Sequence, residues 1–242
     1  LSLLTQHEQI GSDIDGEASN DKSGTSVSLS SDGTIVAIGA NENGNESGHV
    51  RVYQFKIPTL TQWSSGKVIK GTDTDQVDNK YYWTQLGDDI DGEAQGDKSG
   101  NSISLSSDGT IVAIGAMYND DNGTDSGHVR VYEYSSENNQ WTQLGGDIDG
   151  EAQGDYSGRS VSLSSDGTIV AIGADNNDDH TGHVRVYQYS NGSWTQLGGD
   201  IDGATRQDRS GTSVSLSSDG TVVAIGARLS YSYGTAGGHV RV

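Results

Sequence analysis

The chain has 242 residues, 34 of them acidic against 14 basic, and its formal net charge of -20 with a pI of about 4.3 sets it against nucleic-acid backbones and anionic membrane surfaces and in favour of cations. It has no cysteine, which excludes a disulfide framework, a thiolate zinc site and a cysteine nucleophile. Hydrophobic content is only 31%, but the apolar residues fall in short strand-like runs and none approaches the roughly 20 residues that span a bilayer, so neither disorder nor a spanning helix is expected.

Leu1 stands where a methionine would begin a complete chain, and no basic or apolar leader follows, which reads as a processed chain or a piece of a longer one. His7-Glu-Gln-Ile-Gly11 then aligns with Trp83-Thr-Gln-Leu-Gly87, so the chain opens on what is the fourth strand of a repeat. An acidic loop follows, with Asp13, Asp15, Glu17 and Asp21. Next comes an alternating Ser/apolar strand that places small residues on one face and bulky ones on the other. Serines on one face would let neighbouring sheets approach closely near a crowded axis.

The run Ser-Ser-Asp-Gly-Thr-(Ile/Val)-Val-Ala-Ile-Gly-Ala begins at Ser30 and recurs at 106–116, 164–174 and 217–227, a repeat in the range of solenoids and propellers. Its Asp-Gly makes a tight turn into an apolar strand suited to burial on both faces. A third strand, Gly-His-Val-Arg-Val, carries His49, His128, His183 and His239 at equivalent places. These imidazoles are expected to be too far apart to share an ion and to bond locally. The fourth strand starts at Trp83, Trp141 or Trp194, whose rings are expected to pack between repeats. Between the third and fourth strands of the first copy lies an insertion near 57–80, with the only proline, Pro58, read as a loop excursion.

The acidic loop returns as Asp89, Asp91, Glu93, Asp97 and as Asp147, Asp149, Glu151, Asp155, whereas the last copy, Asp200, Asp202, Ala204, Asp208, has lost its glutamate. Alternating acids around a glycine are a way to cage Ca2+; the competing account is that Asp and Gly are turn formers. A second acidic loop after the second strand varies in length and is read as solvated. The last copy replaces it with Arg228 and a stretch holding Tyr231 and Tyr233, and together with Arg206 and Arg209 this marks a candidate partner contact. Asn45, Asn122 and Asn191 open N-glycosylation acceptor triplets in loops.

These elements predict an all-β propeller of four-stranded antiparallel blades in one domain, 1–242, with repeats near 12–87, 88–145, 146–198 and 199–242 plus 1–11. The N-terminal strand would complete the last blade by pairing near 5–12 beside 238–242; an arc of a larger ring is the alternative.

The order Ser-Gly-x-Ser-(Val/Ile)-Ser-Leu, Asp-Gly, Val-Ala-Ile-Gly-Ala, Gly-His-Val-Arg-Val resembles the FG-GAP repeat of integrin α-chain propellers. It is similar above all to tandem repeats of surface proteins from marine bacteria, stramenopile algae and large algal viruses. The resemblance implies extracellular or cell-surface display, adhesion or the building of appendages. Partners would be other extracellular proteins, glycans or further copies of the chain. Integrin-type repeats often hold calcium in a hairpin loop with several acids, but the matching Ser-Ser-Asp-Gly-Thr loop offers only Asp32, Asp108, Asp166 or Asp219. No nucleophile motif or phosphate-cradling loop occurs, and groups repeated in every copy do not single out one catalytic centre, so no enzymatic activity is expected.

Overall fold

The structure is a computed structural model, and it describes residues 9–56, 63–64, 67–68, 82–229 and 237–242. The fold is all-β, with four antiparallel sheets arranged as the four blades of a β-propeller. In the first blade the strands are Ser23–Leu29, Ile35–Ala40, His49–Lys56 and Tyr82–Gln85, paired in that order. The second is Ser102–Leu105, Ile111–Ala116, His128–Ser135 and Gln140–Gln143, and the third is Ser160–Leu163, Ile169–Ala174, His183–Ser190 and Ser193–Gln196. The fourth has Ser210–Leu216, Val223–Ala227 and His239–Arg241.

The short segments Ile90–Asp91, Ile148–Asp149 and Ile201–Asp202 pair with the start of the third strand of the blade they follow, setting His49 opposite Asp91, His128 opposite Asp149 and His183 opposite Asp202. Two four-residue helical turns, Asn43–Glu46 and Asn177–His180, each contain three residues at positive φ and serve as loops. The insertion read as a loop carries a small hairpin, Trp63–Ser64 with Lys67–Val68; its remaining residues lie outside those described.

The core lies between blades. Ile35, Val50, Val52, Leu86 and Ile90 of the first blade pack with Leu105, Val112 and Ile114 of the second, and the same arrangement joins the second to the third and the third to the fourth. The serine-faced inner strands do let the blades approach. Ser26 Oγ donates to Gly100 O at 2.6 Å, Ser102 Oγ to Gly158 O at 2.7 Å and Ser160 Oγ to Gly211 O at 2.8 Å. In return Leu105 N donates to Ser28 Oγ, Leu163 N to Ser104 Oγ and Leu216 N to Ser162 Oγ, at 2.9, 3.0 and 2.9 Å. The approach requires glycine: a Cβ on Gly115 would lie 2.2 Å from Gly158 O.

No comparable packing joins Ser210–Leu216 back to Ser23–Leu29. Val27 and Leu29 are 65% and 61% exposed, where Leu105, the counterpart of Leu29, is 8% exposed. Of the segment expected to pair beside the last blade, residues 5–8 lie outside those described. Ile10, which is described, accepts from Trp83 Nε1 at 3.0 Å, as Leu86 accepts from Trp141 at 2.8 Å and Leu144 from Trp194 at 2.8 Å. The tryptophans thus pack between repeats, and Ile10 occupies the place of a fourth strand preceding the first blade.

Candidate functional site

The acids of one connecting loop do not gather around one point. Asp21, Asp97, Asp155 and Asp208 are buried and accept from the backbone N–H of Ala18, Ala94, Ala152 and Ala204 at 2.7 to 3.1 Å, closing the loop on itself. Asp15, Asp91, Asp149 and Asp202 contribute their carbonyls: Arg51 Nη2, Arg130 Nη2, Arg185 Nη2 and Arg241 Nη1 donate to them at 2.8, 2.7, 2.7 and 2.6 Å. These arginines, buried at Arg51, Arg130 and Arg185 and partly exposed at Arg241, tie each third strand to the loop that enters its blade, a role the sequence reading did not assign. Its only signal was the invariant Gly-His-Val-Arg-Val spacing.

The remaining acids converge on the histidines. Glu17, His49 and Asp89 form one cluster, Glu93, Asp121, His128 and Asp147 a second, and Glu151, His183 and Asp200 a third, each with its ligand-type atoms within 4.8 Å of one another. In every case the glutamate comes from the loop entering the blade, the histidine from the third strand and the aspartate from the loop leaving it. Asp121 adds a fourth group from the second acidic loop. No cluster among the described residues contains two histidines, so the imidazoles do not share a site. With Ala204 in place of glutamate, the entering loop of the last blade lacks this ligand.

His128 is enclosed as fully as His49. Its side chain is 1% exposed, and Nδ1 lies 3.8 Å from Glu93 Oε2 and 3.9 Å from Asp147 Oδ2, too far for a hydrogen bond. That nitrogen is without a partner, in contrast to the local bonding expected from sequence. Burial, and after it the Arg130 guanidinium, pushes the His128 imidazole below its ordinary value, and His183 is lowered in the same way by burial and Arg185. Burial pushes the Glu93 carboxyl up; Arg130 opposes this, and the charges of Asp147 and Asp121 reinforce it. Arg130 Nη1 lies 3.4 Å from Glu93 Oε1, leaving the other carboxylate oxygen toward the imidazole.

The other marked residues are dispersed. Arg206 pairs with Asp179 at 2.7 Å on the surface, while Arg209 and Arg228 lie 3.6 and 3.9 Å from buried Asp175; Tyr231 and Tyr233 lie outside the described residues. Asn45 and Asn191 sit in exposed turns, whereas Asn122 Nδ2 donates to Gly150 O at 2.7 Å. An open groove of about 490 Å³ lies on the outer face of the last blade, lined by Ser213, Gly226, Arg228, His239 and Val240 among others.

The FG-GAP repeat family profile matches residues 90–132, which run from the loop entering the second blade through its third strand. A search of curated proteins returns no match. Among solved structures, hydrazine synthase from Kuenenia stuttgartiensis is 14% identical, with a TM-score of 0.51 over 97% of this chain and 48% of that one. Sqt1 from Chaetomium thermophilum is 16% identical, with a TM-score of 0.51 over 87% of this chain and 43% of that one. The chain therefore spans under half the length of either, and at such identities the likeness concerns the fold alone. The profile thus falls on one copy of a unit that recurs four times, and that copy is similar to an FG-GAP repeat.

Proposed function

We propose that this chain is an extracellular structural module that builds surface assemblies by stacking its blades on those of a second copy of itself, and that it carries no catalytic centre. The observation that supports this most is the pair of blade faces that no other described residue covers. The last blade presents Ser213, Ser215 and the glycine groove at Gly226; the first presents Gly24, Leu29 and Val27. These are the two halves of the interface that joins the blades three times within the chain. A head-to-tail contact would pair Ser213 with Gly24 and Ser215 with the Leu29 amide, covering the exposed valines and leucine.

The FG-GAP-like character of the repeats supports the extracellular location, and the recurrence of the same groups in successive blades favours repeated contacts over one reaction at one place. Sedimentation velocity of the purified chain tests the assembly. The expected result is concentration-dependent head-to-tail oligomers that Gly226→Ala abolishes without unfolding the chain; a monomer at every concentration contradicts it. Antibody labelling tests the location: intact source cells should stain, and staining only after permeabilisation would oppose it.

A further inference from the structure

The enclosed His128 Nδ1 has no hydrogen-bond partner and points at three carboxylates from three different loops. Leaving a buried ring nitrogen unpaired is unfavourable, and so is holding three carboxylates, Glu93, Asp121 and Asp147, together with only the Arg130 guanidinium beside Glu93 to offset them. One occupant relieves both. We propose that Glu93, Asp121, His128 and Asp147 bind a divalent transition-metal ion of the zinc type, pinning the loops that enter and leave the second blade against its third strand.

The chemistry of the donors selects the ion. An imidazole nitrogen with a few carboxylate oxygens suits zinc and its neighbours, whereas calcium requires six to eight oxygens and magnesium holds mainly water and carboxylate. Zinc–ligand distances of about 2.0–2.2 Å require the carboxylates to draw in slightly from their present positions. Glu93, Asp121 and Asp147 are exposed, and Arg130 at Glu93 Oε1 and Gln143 at Asp147 Oδ1 each engage one carboxylate oxygen and leave the other for the ion. The clusters at His49 and His183 have three donors each and no equivalent of Asp121, so they are weaker versions of the same site.

The test uses the whole chain, stripped with chelator and dialysed against zinc chloride, with bound metal measured by elemental mass spectrometry. The proposal expects one tightly held zinc ion per chain. It expects Asp121→Asn and Glu93→Gln, both substitutions of exposed carboxylates, to weaken that ion by at least about tenfold while the folded chain's circular dichroism is unchanged. It also expects cobalt(II) to give the intense visible bands of a low-coordinate site, and calcium in excess to displace nothing. A wild-type chain that retains no zinc, variants that bind as tightly as wild type, or displacement of zinc by equimolar calcium would each overturn it. Because this readout is metal content, it stands or fails independently of whether the chain assembles.

Discussion

At the scale of single residues, the aspartate of each Ser-Ser-Asp-Gly-Thr turn shows how a carboxylate that resembles a metal ligand in sequence is used otherwise. Asp219 Oδ1 accepts from Ser217 Oγ at 2.6 Å, Thr221 N at 3.1 Å and Thr221 Oγ1 at 2.8 Å. The Ser217 hydroxyl, and then the Thr221 amide and hydroxyl, hold this carboxyl down at about 2. A folded-state value below the unfolded one stabilises the fold fully above the ordinary carboxylate range, and this contribution is lost as pH falls through that range toward 2. An NMR titration of Asp219 should therefore show its carboxyl ionised well below pH 3.8; an ordinary midpoint would contradict the turn geometry. A second residue-scale expectation concerns Trp141, whose indole N–H reaches the Leu86 carbonyl of the preceding blade. Trp141→Phe should cost about 1 kcal/mol in urea unfolding, against less for Trp83→Phe, which bonds at the exposed Ile10.

At the scale of elements, the inter-blade glycines divide into two kinds that the sequence does not distinguish. In Gly39, Gly115 and Gly173 an added methyl meets the backbone of the next blade at 2.1 to 2.2 Å, but in Gly226 the nearest atom is the movable Ser213 hydroxyl at 2.4 Å. Gly115→Ala should lower stability by about 1–3 kcal/mol or prevent folding, and Gly226→Ala should cost much less in the same thermal melt. The strands were legible because their signals are local: alternating serines, the Ile-Val-Ala-Ile-Gly-Ala run, and Asp-Gly turns repeated in phase. The clusters were not legible, because their members come from three elements and depend on strand register. Pairing Ile148–Asp149 with the start of the His128 strand divides one acidic loop in two. Asp147 is sent back to His128 and Glu151 forward to the next histidine, His183. Read along the chain, the same acids look like a single calcium cage.

At the scale of the whole molecule, charge and shape act in opposite directions. Each copy carries a formal charge of -20, which opposes association, while the strand residues that would meet, Ser213 and Ser215 on one side and Gly24, Val27 and Leu29 on the other, are uncharged. Head-to-tail assembly should therefore strengthen as salt rises and screens the repulsion, unlike a contact built on ion pairs. Light scattering across a salt series distinguishes the two. The most direct test exploits the chain's lack of cysteine. Inside the propeller Ser31 Oγ and Ser107 Oγ lie 2.9 Å apart, and the equivalent position on the last blade is Ser218. In the double variant Ser31→Cys, Ser218→Cys, mild oxidation should produce disulfides between copies, seen as covalent dimers or longer species on a non-reducing gel. A monomer with an internal disulfide would show instead that the chain closes its own ring, and a monomer with two free thiols that the faces meet nothing; either result would contradict assembly through a second copy.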